Sequence, residues 1–171
     1  MKWRAFPLHP DTPLEGLSLA DLFKQKGIPV NVDKMMMQLK ATAAGFGLPL
    51  GDRKMTYNSR LAQEIGLWAE TEGCGHEFHR EAFAAYFAEG RNIAQKEVLL
   101  DLITKSGLDP RAGERVIDQR LFSKAVDEDW ERSRNMGITA VPTFQMGLDR
   151  LVGAKPYATL KALVEKYKDQ G

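Results

Sequence analysis

Strand-like patterns lie near the two ends of this sequence, and a long helical block separates them. The segment "KWRAF" (2–6) is rich in aromatics, alternates in polarity and is followed by prolines, which predicts a short strand. Near the other end, "VPTFQM" and "RLVGA" flank "GLD" and predict a β-hairpin, after which Pro156 opens a last helix. Because an isolated hairpin is marginal in water, the two β ends must meet. The order therefore predicts one small α/β unit interrupted by a helical insertion.

The block from 17 to 136 is predicted to be helical throughout, with about six helices whose apolar residues recur at three- and four-residue steps. The segment "HEFHREAFAAYFAEG" has an unusually broad apolar stripe, widened by Phe83 and Phe87, which predicts a helix buried between others. Met35 and Met36 are interpreted as core residues. The predicted helix N-caps are Ser18, Asn31 and Asn58.

Composition limits the classes of function. With 171 residues, of which 43% are hydrophobic, the chain fits one globular domain. It has 24 basic and 23 acidic residues in no like-charged block, so neither nucleic acid nor a membrane is expected as a partner. The N-terminal segment "MKWRAFPLHPDTP" contains three prolines and is not expected to be a signal peptide. The single cysteine, Cys74, cannot form an internal disulfide. We expect a cytoplasmic location.

Pro142, within "GITAVPTFQMG" (137–147), is unusual for a segment that reads as a strand. Proline fixes φ and removes an N–H donor, so it is confined to strand edges, first positions, bulges or functional turns. The residues alone leave two interpretations open, a trans proline that starts an edge strand and a functional backbone turn.

Several longer segments carry a family resemblance. They are "WRAFPLHPDTPLEG" (3–16), "YNSRLAQEIGLWAETEG" (57–73), "AAYFAEGRNI" (84–93), "EVLLDLITKSGLD" (97–109), and "MGITAVPTF" followed by "LVGAKP" (136–156). In this order they resemble the DsbA-like thioredoxin-fold oxidoreductases, in particular the FrnE-type branch. The resemblance implies a thioredoxin-like α/β fold in which 1–16 and 137–171 form the thioredoxin-like part and 17–136 a large all-helical insertion.

For the loop around Pro142, the resemblance implies a substrate-binding role. "AVPTF" is then the cis-proline loop, and Ala140, Val141, Pro142 and Thr143 are the predicted substrate-binding residues. Such a turn leaves the Val141 N–H and C=O unpaired, ready to hold an extended peptide or a small thiol by strand addition. The implied substrates are peptides or small thiols. No cofactor is expected, although glutathione could serve as substrate or ligand.

The chemistry of this family uses a Cys-x-x-Cys motif, which this sequence lacks. "KWRAF" matches the family's second strand, so we expect the first strand, the catalytic helix and its cysteines to lie upstream of Met1 or to be absent. As it stands, the chain is expected to be inactive in dithiol exchange and to have no catalytic residue of its own. A sheet without that strand exposes two edges, so we also expect a homo-oligomer that associates through them.

The cysteine and the histidines can be interpreted as structural or as functional residues. Cys74 is expected to be an incidental thiol, with a redox-reactive surface thiol as the alternative. Together with His76 and His79 it could contribute to a zinc site, although a solvated helix start explains the same residues, and no metal site is predicted. His9, between two prolines, is interpreted as a turn residue.

Two rival functions remain open at the level of sequence. One is the related glutathione-dependent 2-hydroxychromene-2-carboxylate isomerase and kappa-class glutathione transferase branch, which shares the helical insertion and the Val-Pro loop. "LVGAKPY" resembles the oxidoreductase branch more closely. The other is a non-catalytic domain that binds peptide or glutathione.

Overall fold

The computed structural model describes residues 2–168, which form eight helices and four short strands. The helices are α1 (Leu19–Gln25), α2 (Val32–Gly45), α3 (Arg60–Thr71), α4 (Gly75–Phe83), α5 (Lys96–Lys105), α6 (Pro110–Gln119), α7 (Ser123–Asn135) and α8 (Tyr157–Tyr167). The strands are β1 (Leu17–Ser18), β2 (Met55–Thr56), β3 (Thr143–Met146) and β4 (Asp149–Val152). They form two separate antiparallel pairs, β1 with β2 and β3 with β4.

Local signals account for the starts of several helices. The Ser18 hydroxyl accepts a hydrogen bond from the Asp21 amide, and the Asn31 side chain accepts one from the Lys34 amide. Both N-caps confirm the sequence prediction. The cap residue of α3 is Ser59, not Asn58, but the Asn58 Oδ1 accepts from the Arg60 amide and so satisfies a first-turn donor.

The main core lies among α3, α4, α5 and α6. Each contributes an apolar stripe to one cluster, in which Ile65, Phe78, Leu99 and Ile103 are 0–1% exposed. Gly113 of α6 lies so close to the Ile103 side chain that a Cβ there would collide with it. These four helices therefore contain the larger of the two buried apolar clusters.

A smaller core joins α1 and α2. Leu19, Leu22 and Met36 are buried there, as the helical spacing predicts, while Met37 is 69% exposed. The pairing of β1 with β2 ties this unit to the start of α3. These two strands also show that the prediction of a helical structure throughout 17–136 is wrong in that detail.

The predicted strand at 2–6 is wrong, because this segment has no strand assignment in the structure. Side chains of two helices hold it instead. The Asp129 carboxylate of α7 accepts from the Ala5 amide at 2.9 Å and from Arg4 at 2.8 Å, and Gln63 of α3 donates to the Phe6 carbonyl at 3.1 Å. A strand requires a neighbouring backbone, and here side-chain groups take that place.

The prediction of a helix buried between others at 76–90 is also only partly right. The α-helix α4 gives way to a π-helical turn at Ala84–Ala88, and Phe83 and Phe87 remain 49% and 37% exposed. The turn is fixed by a close approach of Gly51, whose amide donates to the Phe87 carbonyl at 2.9 Å. A Cβ at position 51 would overlap the Ala88 carbonyl, so only glycine fits.

The predicted β-hairpin is confirmed, with Thr143 opposite Val152 and Met146 opposite Asp149. Helix α8 packs against it. An ion pair between Lys166 and Asp149 joins the helix to the hairpin turn. The predicted division into 1–16 plus 137–171 and 17–136 stays a prediction, and positions 1 and 169–171 lie outside the described residues.

Candidate functional site

The predicted site residues form a short loop between α7 and β3. The peptide bond between Val141 and Pro142 is cis. The Thr143 hydroxyl donates to the Ala140 carbonyl at 2.6 Å, and the Gly153 amide donates to the Pro142 carbonyl at 2.8 Å. The structure thus brings all four predicted residues together and anchors both ends of the loop.

Val141 is an exposed residue of this loop. It is 44% exposed, and its N–H and C=O make no hydrogen bond to any residue within 2–168. The loop leads directly into β3, which pairs with β4 alone among the described strands. A free donor and acceptor at the start of a strand edge can hold an extended backbone by hydrogen bonding.

Helix α7 fixes the approach to the loop. After the helix, the Gly137 amide donates to the Arg134 carbonyl and the Ile138 amide to the Ser133 carbonyl, both at 2.9 Å. Gly137 has φ of +63°, a left-handed conformation that favours glycine at a helix end. Arg150 of β4 donates to the Met136 carbonyl at 2.9 Å and so connects the hairpin to the same helix end.

Cys74 lies where the sequence places it, between two helices. It precedes the first residue of α4, is half-buried, and its amide donates to the Ala69 carbonyl of α3 at 2.9 Å. It is therefore part of the helical core region, on elements other than those that carry the Pro142 loop.

His79 is held by packing, and His9 by a hydrogen bond with a lysine. His79 lies against Trp3, with ring centroids 4.5 Å apart, and its Nε2 is 3.7 Å from the Glu70 carboxylate. Burial lowers the pKa of His79. Burial and then the Lys26 ammonium, 2.9 Å from its Nδ1, lower the pKa of His9. Within 2–168, no group of three or more His, Cys, Asp or Glu side chains is arranged to hold a metal ion.

A second surface was missed by the sequence analysis. An apolar groove lies between α2, the segment 48–53 and the π-helical turn, and Arg53 is its charged member. The available signal was "GFGLPLG" (45–51), which places Phe46, Leu48 and Leu50 in a glycine-rich loop where apolar residues have no helix face to bury.

Taken together, the hairpin, the final helix, the Val141–Pro142 loop and the large helical part define a DsbA-like thioredoxin fold, an α/β fold with a helical insertion. The model of the DSBA-like thioredoxin domain matches residues 1–165, and the chain belongs to that family. None of the described helices combines the length and the apolar character needed to cross a membrane.

One curated relative matches part of this chain. The chain is 32% identical over 98 residues to the protein YwbO of Bacillus subtilis, a match that covers 55% of this chain and 48% of that protein. The chain thus matches about half the length of this curated relative.

Two solved structures show the same fold. The crystal structure of a probable DsbA oxidoreductase from Streptomyces coelicolor superposes with a TM-score of 0.85 at 20% identity, covering 97% of this chain and 74% of that chain. A 2-hydroxychromene-2-carboxylate isomerase superposes with a TM-score of 0.69 at 20% identity, covering 90% of this chain and 79% of that chain. The family and the fold predicted from the sequence are thus confirmed.

Proposed function

We propose that this chain is the substrate-holding part of a DsbA-like thiol–disulfide oxidoreductase of the FrnE type. The observation that supports this most directly concerns the exposed residue Val141. Its N–H and C=O have no hydrogen-bond partner within 2–168, and it lies in a loop anchored by Thr143 and Gly153. Membership of the DSBA-like family supports the same role. The substrate is an extended peptide or a small thiol such as glutathione, and its backbone pairs with Val141.

Exchange itself requires more than this chain contains. A thiolate attacks a disulfide sulfur to give a mixed disulfide, and a second thiol then resolves it. The sequence has one cysteine, Cys74, on elements other than those of the loop. The 171-residue chain by itself is therefore proposed to bind substrate without catalysing dithiol exchange.

The test is a titration of the 15N-labelled chain with reduced glutathione and, separately, with a short extended alanine–valine peptide. The Val141 amide signal is expected to move. Thr143→Val removes the hydrogen bond to the Ala140 carbonyl and is expected to weaken binding about threefold to tenfold. The control is Thr159→Val, at an exposed threonine of α8 that makes no side-chain hydrogen bond within 2–168. Shifts confined to other regions, or equal weakening in both variants, would contradict the proposal.

A second assay addresses the chemistry. Reduction of insulin by the chain is expected to show no turnover above that of free dithiothreitol, and Cys74→Ser is expected to change nothing. Appreciable turnover that disappears in Cys74→Ser would show that Cys74 is the reactive thiol and that the role proposed here is wrong.

Self-association and location are part of the same proposal. The β3–β4 pair is a two-stranded sheet, which is marginal alone, and the edge of β3 can pair with the same edge of another copy. Light scattering is expected to show a species larger than 19.2 kDa, and a monodisperse monomer would contradict this. A cytoplasmic location is proposed with the single cysteine as its support.

A further inference from the structure

An apolar groove of about 260 Å³ runs beside helix α2, on residues that do not include the Pro142 loop. Its walls are mainly aliphatic and aromatic: Met36, Leu39, Phe46, Leu48 and Leu50 on one side and Phe87 on the other. Phe46 is 77% exposed and Leu48 is 62% exposed, so the groove is open to solvent. Large apolar side chains exposed together mark a binding surface more often than single ones do.

Arg53 is the charged residue of this groove, and its charge is not neutralised by any carboxylate within 2–168. Its Nη1 donates to the Tyr86 hydroxyl at 2.6 Å and to the Met55 carbonyl at 3.2 Å. Its Nε is buried and has no hydrogen-bond partner there. The adjacent Asp52 pairs with Lys40 instead.

Aromatic rings hold the guanidinium in place. Its central carbon lies 4.7 Å from the centre of the Tyr86 ring and 5.3 Å from that of Phe87. Cation–π contacts and the two hydrogen bonds hold the guanidinium in place, but they leave it without a carboxylate partner within 2–168. Of the guanidinium nitrogens, Nη1 alone has hydrogen-bond partners within 2–168, so the group can still pair with an acceptor in the groove.

We propose that this groove binds a small monocarboxylic acid with an apolar body, whose carboxylate pairs with Arg53 and whose hydrocarbon part lies along Leu39, Phe46 and Leu48. A guanidinium fork suits a carboxylate in geometry and in charge. The volume, about 260 Å³, is enough to hold the hydrocarbon part of a medium-chain or aromatic acid.

A second depression in the described part of the chain does not compete. It measures about 550 Å³ but is lined by residues of α7 and its cap alone, among them Glu128, Glu131 and Arg132. A single exposed helix surface provides no enclosed apolar contact for a ligand.

The experiment uses the full chain labelled with 13C at the methionine methyl groups, titrated with octanoate and with 1-octanol. The Met36 methyl, which lines the groove, is expected to shift, whereas that of Met146 in β3 stays in place. Octanoate is expected to bind at least about tenfold more tightly than 1-octanol because only the acid has a charge for Arg53.

The variants separate the charge from the apolar walls. Arg53→Met keeps the groove apolar and is expected to weaken octanoate binding about tenfold to a hundredfold while leaving 1-octanol unchanged. Arg111→Met is the matched control, since Arg111 is exposed and makes no ion pair within 2–168. If Arg53→Met does not fold, [1-13C]octanoate bound to the unaltered chain replaces it. The pKa of the bound acid should then fall below that of the free acid, because Arg53 favours the charged form.

Four outcomes would overturn the proposal. They are no shift of Met36 up to about 10 mM octanoate, equal affinity for acid and alcohol, equal effects of the two arginine variants, and an unchanged pKa of the bound acid. Sedimentation adds a fifth: a dimer that Phe46→Ser dissociates and octanoate does not would assign the groove to a second copy of this chain.

Discussion

Glu64 is the buried charge of the helical core whose removal should cost most. Its side chain is 1% exposed and accepts from Arg120 at 2.6 and 2.9 Å and from Arg60 at 2.9 Å. Burial alone would raise the pKa of Glu64, but hydrogen bonds to these two arginines lower it below its usual value. The carboxylate therefore links α3 with the end of α6.

Glu64→Gln leaves two arginines facing a neutral amide. Breaking a buried pair costs about 3–5 kcal/mol when the other charge stays buried. Here Arg120 is 51% exposed and can be rehydrated, so we expect a loss of roughly 2 kcal/mol in the free energy of unfolding. For a chain of this length that corresponds to a fall in Tm of about 4–8 °C.

The assay is thermal and urea unfolding followed by far-ultraviolet circular dichroism. Glu128→Gln is the control, because Glu128 is 65% exposed and faces Lys124 at 3.8 Å; we expect it to change the free energy by less than about 0.5 kcal/mol. The pH dependence gives a second check. With a lowered pKa in the folded state, the stabilisation by Glu64 is present above about pH 4.3, its unfolded pKa, and is lost as the pH falls through the folded value.

Equal unfolding curves for Glu64→Gln and Glu128→Gln would refute this reasoning. A loss of stability in acid that is as large in Glu64→Gln as in the unaltered chain would also refute it, since the variant has no carboxylate to protonate at this position. Either result would mean that the arginines gain as much from water as from the carboxylate.

Three further predictions concern other contacts. Because burial lowers the pKa of His79, the unfolded chain binds the proton more readily; stability should fall as the pH drops below about 6.5, and His79→Gln should reduce that part of the slope in urea titrations. Asp129→Asn should cost roughly 1–3 kcal/mol and speed hydrogen exchange at the Ala5 amide, measured by mass spectrometry, whereas unchanged exchange would show that other contacts hold this segment. Gly147→Ala should cost about 1 kcal/mol or more, since φ is +53° and a Cβ would collide with the Tyr167 ring; recovery of only part of the loss in Tyr167→Ala would separate the clash from the backbone strain.

Local signals were sufficient for much of the fold. Ser18 and Asn31 cap their helices because a side-chain oxygen a few atoms from a free amide acts irrespective of distant residues. The hairpin was predictable for the same reason, since the alternating residues and the turn are adjacent in sequence. The four residues of the Pro142 loop are also contiguous, although their assignment as a site came from family resemblance.

Features that depend on a distant partner were not predictable. "KWRAF" has the composition of a strand, but a strand exists only beside another, and this segment bonds to the side chain of Asp129, more than 120 residues away. The groove is assembled from residues between Met36 and Phe87, so no short pattern contains it. The exposure of Phe83 likewise depends on how much of a broad stripe the neighbouring helices can cover.

The π-helical turn at Ala84–Ala88 has a consequence for comparing relatives of this chain. A π turn contains one residue more than the α-helical turn it replaces, so its loss in a relative should be visible as a single-residue gap within "AAYFAEG". Such a gap would withdraw the Phe87 carbonyl from the Gly51 amide and release position 51 from the steric demand for glycine. We thus expect two features to change together among relatives of this chain. One is the single-residue gap within "AAYFAEG", and the other is the residue type at position 51, more than thirty residues earlier.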